Sequence, residues 1–333
     1  MTKKRIAING FGRIGRAAFK IALEKSGVEV VAINDLTDAT ILAHLLRYDT
    51  AYGHYGKEVV VKDGSLVVDG LSVPVYAEPD PKRLPWGELE VDVVLECTGR
   101  FTDKEGASQH ITAGAKKVLL SAPAKGDDDS VPTFLMGVNE EAYADEAIIS
   151  NASCTTNSLA PVAKILHEKF GIAKALMTTI HSYTADQNLQ DGPHKDLRRA
   201  RAASQNMVPT TTGAAIAVTQ VIPDLKGLFD GHSVRVPTII VSLTDFTFVL
   251  KKKTTAEEVN ATLKAASLEP RYKAVLAVTD EPLVSSDFIG NPHSSIVDLA
   301  LTKVIDGDLV KVIAWYDNEW GYSNRLVEMA ERL

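Results

Sequence analysis

Arg5-Ile6-Ala7-Ile8-Asn9-Gly10-Phe11-Gly12-Arg13-Ile14-Gly15 opens on an apolar run and closes on three spaced glycines. The apolar run reads as a buried strand. Ile14, Ala18, Ile21 and Ala22 then recur at helical spacing up to Lys25-Ser26-Gly27. Glu29-Val30-Val31-Ala32-Ile33-Asn34-Asp35 reads as a second strand. Strand, glycine loop, helix and strand make the first unit of a parallel α/β sheet. In such a loop Gly10 permits the tight turn, Gly12 lets a pyrophosphate approach the backbone, and Gly15 lets helix pack on strand. The helix N-terminus adds amide donors and a positive dipole end. Asp35 ends the next strand, twenty positions beyond Gly15. Its carboxylate can accept hydrogen bonds from ribose hydroxyls and would repel a 2′-phosphate. The combination predicts a dinucleotide cofactor, NAD in preference to NADP.

Outward from this unit, Thr37 or Asp38 is positioned to cap a helix carrying Ile41, Leu42, Leu45 and Leu46. Val59-Val60-Val61, Leu66-Val67-Val68 and Val73-Pro74-Val75 are separated by Asp63-Gly64 and Asp69-Gly70, the signature of tight hairpins, and predict a small antiparallel insertion. Parallel-type strands resume at Val91 to Leu95, Lys117 to Leu120 and Ala147 to Ile149. The second half differs. Ile172 to Ile180, Thr238 to Leu250, Ser295 to Ile305 and Leu309 to Trp315 are longer strand-like runs, the last two joined by Asp306-Gly307. Helical stretches lie near Thr212 to Val221 and Thr255 to Ala266, and a terminal helix near Ser323 to Leu333. The reading is α/β: a Rossmann-type dinucleotide-binding domain over 1–153, joined by a C-terminal helix over 319–333, and an α+β catalytic domain over 154–318 with a mainly antiparallel sheet.

The bulk numbers suit two domains: 333 residues, 45% hydrophobic and 24% charged. A net charge of −7 argues against general nucleic-acid affinity. No stretch approaches the roughly 18 apolar residues of a membrane span, and no signal-peptide apolar region follows the basic N-terminus. Cys97 and Cys154 are the only cysteines, which fits a reducing compartment, so a cytoplasmic protein without a disulfide framework is expected. No metal site is read.

Cys154 sits in Ser150-Asn151-Ala152-Ser153-Cys154-Thr155-Thr156-Asn157, rich in the hydroxyls and amides of helix starts. A thiolate there is stabilised by the helix dipole, and more by a neighbouring imidazolium. Pro161 leaves two possibilities: a helix from Cys154 that bends there, or a first regular turn near Ala160. His181 follows the β-rich Leu176-Met177-Thr178-Thr179-Ile180, so it lies at a strand end. Thiol and imidazole together are the parts of an activated nucleophile. The polar, basic stretch from Ser182 to Pro209 is long enough to be functional or an interface.

These motifs, with Asp196-Leu197-Arg198-Arg199-Ala200-Arg201, Thr212-Gly213-Ala214-Ala215, Arg235-Val236-Pro237-Thr238 and Trp315-Tyr316-Asp317-Asn318-Glu319-Trp320-Gly321-Tyr322-Ser323, are similar to those of the phosphorylating glyceraldehyde-3-phosphate dehydrogenases. The resemblance spans essentially the whole chain. It implies that Cys154 forms a thiohemiacetal and then a thioester, that His181 is its base, and that inorganic phosphate releases an acyl phosphate. It implies that Thr184 and Arg235 hold the substrate phosphate, and that Ser153, Thr155, Thr212 and Gly213 line the attacking phosphate's site. For NAD it implies Asn34 and Asp35 at the adenosine ribose, Arg13 and Ile14 along the pyrophosphate loop, Thr98 and Ser121 beside the nicotinamide half, Asn318 on the carboxamide and Tyr322 next to it. It also implies a homotetramer in which the loop between Tyr183 and Asn206 packs on a neighbouring subunit. Lys195, Arg198, Arg199 and Arg201 then read as solvated or interface charge.

Departures from the family pattern are few. Ser158 stands where many relatives carry a second cysteine, so no thiol lies one turn from the nucleophile. Cys97 replaces a common serine, Ile216 a common lysine, and Thr238-Ile239-Ile240 is unusual. Leu36 and Gly192-Pro193 lack the small hydroxyl residues of NADP-using relatives. The sister enzyme acting on erythrose 4-phosphate and an additional binding or adhesion role are the competing readings.

Overall fold

The glycine fingerprint folds as read. In the computed structural model, which describes residues 3–126 and 131–333, β1 (Lys4–Asn9) leads through Gly10 into α1 (Arg13–Glu24), and β2 (Val28–Asn34) returns parallel to β1. Ile6, Ala7 and Ile8 are wholly buried. The three glycines act differently. A Cβ at Gly15 would lie 2.1 Å from the Gly10 carbonyl oxygen, so helix and loop meet there backbone to backbone. Gly10 has φ +93°, and a Cβ on it would lie 2.8 Å from the Thr98 nitrogen. At Gly12 a Cβ would meet nothing within 4 Å.

The first unit comprises Met1–Phe134, Glu141–Ala152 and Ser323–Leu333. Its further elements are α2 (Ala39–Arg47), capped by Asp38, then β3 (Tyr48–Asp49), β4 (Gly53–His54), β5 (Val59–Lys62), β6 (Ser65–Val68) and β7 (Leu71–Tyr76). β8 (Val93–Glu96), α3 (Lys104–Thr112), β9 (Lys117–Leu120) and β10 (Ile148–Ser150) follow. The Asp-Gly pairs at 63–64 and 69–70 have both residues at positive φ, as two-residue hairpin turns demand. These hairpins are not a separate insertion. β7 pairs in parallel with β2, and one eight-stranded sheet runs β10-β9-β8-β1-β2-β7-β6-β5. The C-terminal ends of β1, β2 and β8 therefore lie side by side, which is where a doubly wound sheet holds its ligand.

The second unit comprises Leu135–Glu140 and Ser153–Tyr322. It contains α4 (Cys154–Phe170), β11 (Ile172–Ser182), β12 (Val208–Thr210), α5 (Ala214–Val221), β13 (Phe229–Val236) and β14 (Ser242–Leu250). After α6 (Ala256–Ser267) come β15 (Leu276–Thr279), β16 (Ser295–Asp298), β17 (Lys303–Ile305), β18 (Leu309–Tyr316) and the start of α7 (Trp320–Arg332). The sheet runs β12-β13-β11-β14-β18-β16-β15, with β17 on β18. Only β11–β13 and β15–β16 are parallel, so the sheet is mainly antiparallel. The run read as one strand from Ser295 to Ile305 is broken by a short 3-10 turn at Leu299–Leu301. β14 alternates strictly between buried and half-buried residues, and α4 packs with α5 and α6 over the buried side. α4 does begin at Cys154 and carries Pro161 within it.

Gly15→Ala is expected to destabilise the protein by about 1–3 kcal/mol, because the atom nearest the added methyl is a backbone oxygen that cannot swing aside. Gly12→Ala is expected to cost a small fraction of that. Denaturant unfolding of the two variants checks the contrast.

Candidate active site

Cys154 is the first residue of α4, and Ser153 is its N-cap, accepting the Thr156 N–H at 3.0 Å. The residue before the cap, Ala152, is wholly buried at φ +52°, a conformation costing about 1–3 kcal/mol for a residue with a Cβ. That backbone turn delivers the thiol at the helix start. His181 is buried, one residue from the end of β11, and its Nε2 lies 3.6 Å from Cys154 Sγ. Its Nδ1 lies 2.7 Å from the Ser182 carbonyl oxygen. A carbonyl can only accept, so Nδ1 carries the proton and Nε2 is the free base facing sulfur.

Burial pushes the Cys154 thiol up, against the pull of Arg235 and the Thr155 hydroxyl. Burial, joined by the Arg235 charge, pushes His181 down to about 3, against the Ser182 carbonyl. A lone charge on either group is therefore penalised. Moving the thiol proton to Nε2 makes two opposite charges at once, with the α4 N-terminus and Arg235 favouring the sulfur anion. The pair is built to exchange a proton internally.

Arg235 is opposite His181 in the parallel β11–β13 register. Its Nη1 donates to Thr184 Oγ1 at 2.6 Å and reaches the same Ser182 carbonyl at 3.4 Å. Its Nε is buried without an acceptor among the described residues, a donor suited to an anionic ligand. Thr184 also donates to Asp186, which takes a guanidinium nitrogen of Arg199. Burial works against the Asp186 charge, but the Thr184 hydroxyl, Arg235 and Arg199 hold its carboxyl below the ordinary value. Arg199 Nε reaches Thr210 Oγ1 at 3.0 Å and its Nη2 the Thr211 carbonyl at 3.4 Å, just before Thr212 and Gly213 at the head of α5. Thr155 is buried, and its hydroxyl meets that of Tyr316 at 3.0 Å; Tyr316 also meets Thr179 at 2.9 Å and stands edge-on to the His181 ring.

Asn318 follows the end of β18 and is 4% exposed. Its Oδ1 accepts the hydroxyls of Ser182 and Ser242, each at 3.0 Å. Tyr322 is buried in the first turn of α7.

In the first unit, Asn9, Gly10, Gly12, Asn34, Asp35, Glu78 and Thr98 line a cavity of about 360 Å³. Asp35 accepts the N–H groups of Phe11 and Thr37 at 2.8 and 2.9 Å, so the carboxylate is anchored to the glycine loop with lone pairs to spare. Open space at Gly12 and a fixed acceptor at Asp35 fit a pyrophosphate and a ribose. The Arg13 guanidinium is committed to Asp49, at 2.8 and 3.3 Å, and Ile14 lies beside it in the first turn of α1. Behind the cavity, Glu96 is a wholly buried carboxylate. It takes Asn9 Nδ2 at 2.6 Å, the Thr98 N–H at 2.8 Å, the Thr98 hydroxyl, and His110 Nε2 at 3.0 Å. Trp86 donates to His110 Nδ1 at 3.0 Å, which leaves Nε2 as the protonated nitrogen. Asn34 donates to Asn9 at 2.7 Å, so this network also holds the Asn34 amide. The Ser121 N–H donates to the Glu96 carbonyl at 3.0 Å. Burial pushes the Cys97 thiol up to about 12, which leaves it a poor nucleophile.

The family model for the glyceraldehyde 3-phosphate dehydrogenase NAD binding domain matches residues 4–104, and the model for that enzyme's C-terminal domain matches 153–318. The chain is 56% identical to glyceraldehyde-3-phosphate dehydrogenase of Geobacillus stearothermophilus over 328 residues, 98% of this chain and 97% of the relative. It is 55% identical to glyceraldehyde-3-phosphate dehydrogenase 1 of Bacillus subtilis, with the same coverage, and 55% identical to the Zymomonas mobilis enzyme over 99% and 98%. The chain belongs to the glyceraldehyde-3-phosphate dehydrogenase family.

Within this member of the family, Cys154, His181, Thr184 and Arg235 come together around the Ser182 carbonyl. Arg199 ties that group to the Thr211 carbonyl, one residue before Thr212, and α5, headed by Gly213, packs on α4. Sequence reasoning passed over Asp186 and Arg199, the latter read as surface charge, and over Ser182, Ser242 and Glu96. The available signal was the spacing of Thr184 and Asp186, two residues apart in the loop after β11. Among the described residues no helix is long and apolar enough to cross a membrane.

The His181 shift sets a pH dependence of stability. Between about pH 6.5 and 3 the unfolded chain binds a proton at this residue and the folded chain does not, so stability falls as pH falls through that window. His181→Gln removes this contribution. The unfolding free energy of the unsubstituted protein is expected to drop more steeply between pH 6.5 and 4 than that of the variant, as chemical denaturation at each pH would measure.

Proposed function

We propose that the chain is an NAD-dependent, phosphorylating glyceraldehyde-3-phosphate dehydrogenase of glycolysis, converting D-glyceraldehyde 3-phosphate to 1,3-bisphosphoglycerate. The observation that carries the mechanism is Cys154 Sγ at 3.6 Å from a His181 Nε2 that has no proton of its own. Sγ adds to the aldehyde carbon while its proton passes to Nε2 and on to the carbonyl oxygen, giving a thiohemiacetal. Bound NAD supplies the hydride acceptor. As the hydride departs, Nε2 takes the hydroxyl proton and a thioester remains on Cys154. A phosphate oxygen then attacks the thioester carbon, the C–S bond breaks, and the acyl phosphate leaves with Cys154 as the thiolate.

Thr184 and Arg235 hold the substrate phosphate, supported by the unsatisfied Arg235 Nε. Ser153, Thr155, Thr212 and Gly213 serve the attacking phosphate; Gly213 heads α5 without a side-chain cap, which suits an anion there. Asn34 and Asp35 bind the adenosine ribose, the Gly10–Gly15 loop the pyrophosphate, Thr98 and Ser121 the nicotinamide half, and Asn318 with Tyr322 the carboxamide. Leu189, Leu197 and Met207 expose three-quarters or more of their surface around the long loop, apolar area that a homotetramer would cover. A cytoplasmic setting suits a chemistry that needs Cys154 reduced.

Cys154→Ser is expected to abolish aldehyde oxidation while NAD titration still shows binding. His181→Asn is expected to lower turnover by roughly 10²–10⁴-fold, the loss of a positioned base. In stopped-flow and mass spectrometry, absence of an acyl adduct on Cys154 in the unsubstituted enzyme starved of phosphate would contradict the proposal.

A further inference from the structure

The side-chain amide of Asn318 is held by two serines, Ser182 and Ser242. β11 ends at Ser182, β14 begins at Ser242, and β18 ends two residues before Asn318; β14 pairs with both other strands, so the three strand ends converge. Ser182 and Ser242 are 0% and 2% exposed. Both hydroxyls donate to Asn318 Oδ1 at 3.0 Å, and Ser242 Oγ also accepts the Ser182 N–H at 3.2 Å. With the amide turned over, two buried hydroxyls would face an NH₂ group and lose their acceptor, so Oδ1 belongs on the serine side. The Nδ2 group is then directed away from the serines, and it has no acceptor among the described residues. Val241, immediately before Ser242, is buried at φ +67°. A β-branched residue is held in that region only where its surroundings fix the backbone. The strain sits at the residue that aims the Ser242 hydroxyl.

We propose that Ser242 and Ser182 are positioning residues that lock the Asn318 amide in one orientation, so that its Nδ2 presents a single donor to the nicotinamide carboxamide and fixes which face of the ring receives the hydride. This rests on the reading that Asn318 contacts the carboxamide. A carboxamide met by a donor of fixed direction holds its ring one way up. An amide free to turn offers donor or acceptor alternately and tolerates either face.

The test uses the full-length enzyme with glyceraldehyde 3-phosphate deuterated at C1, and reads the face of the NADH product by proton NMR. Ser242→Ala and Ser182→Ala each remove one donor to Oδ1; the second keeps the carbonyl that orients His181. Each is expected to raise the KM for NAD about fivefold, the worth of one ordinary hydrogen bond. Each is also expected to place measurable deuterium on the second face, and Ser242→Thr, which keeps the hydroxyl, is expected to restore a single face. Two variants acting on one oxygen from different strands keep the test decisive if one fails to fold. If both alanine variants deliver to one face with unchanged KM while Asn318→Ala scrambles it, the positioning role is wrong and the role of Asn318 stands. If Asn318→Ala also leaves face and KM unchanged, the contact of Asn318 with the carboxamide is wrong and the proposal falls with it.

Discussion

The Ser182 carbonyl oxygen is the acceptor on which the catalytic unit depends. It takes the His181 Nδ1 proton at 2.7 Å and approaches Arg235 Nη1 at 3.4 Å. The first contact decides which ring nitrogen is the base. The second sets a permanent cation, Arg235, beside that ring. The imidazole and the guanidinium thus share one backbone acceptor, held because the pairing of β11 with β13 continues through Ser182. A side-chain acceptor in that place could rotate or titrate; a carbonyl in a paired strand does neither.

Much of the remaining geometry is held by backbone that a chain left to itself would avoid. Ala152 and Val241 both lie at positive φ and both are buried, one before the cap of the nucleophile's helix and one before Ser242. Such conformations persist where packing over-determines them, and they cluster at functional sites. The first unit solves its own problem differently. There the fixed element is an acceptor-only carboxylate, Glu96, that gathers Asn9, Thr98 and His110 behind the cavity. Burying so polar a group is tolerable because its oxygens are supplied with donors.

The parts legible in the sequence are those specified locally. Three Asp-Gly pairs announced hairpins because both turn residues need positive φ, and all three have it. Gly10, Gly12 and Gly15 declared their loop by their spacing; Gly10 is required by its positive φ and Gly15 by close backbone approach, while the space at Gly12 is open. β13 was passed over because Asp230-Gly231-His232-Ser233 breaks the apolar pattern; it is a strand because β11 and β12 pair with it. The hairpin segment ending at Tyr76 read as an insertion because local alternation cannot say which strand lies alongside, and β2 does. At the site, Cys154 and His181 were readable from residue type and flanking pattern. Asp186, Arg199, Ser182 and Ser242 were not, since their roles exist only once separate strand ends and a long loop come together. Arg199 shows the difference most clearly. In the sequence it is one of several cations in a basic run, whereas in the fold it alone among them joins Asp186, Thr210 and the Thr211 carbonyl.

Thioester chemistry on Cys154, closed by inorganic phosphate, is the centre of this account. Its most direct measurement is the initial rate of NADH formation from glyceraldehyde 3-phosphate, with and without inorganic phosphate, and with NADP in place of NAD. Sustained turnover that requires phosphate and strongly prefers NAD is the predicted result. Sustained turnover at the same rate without phosphate, or none with this substrate while Cys154 remains open to alkylation, would contradict it.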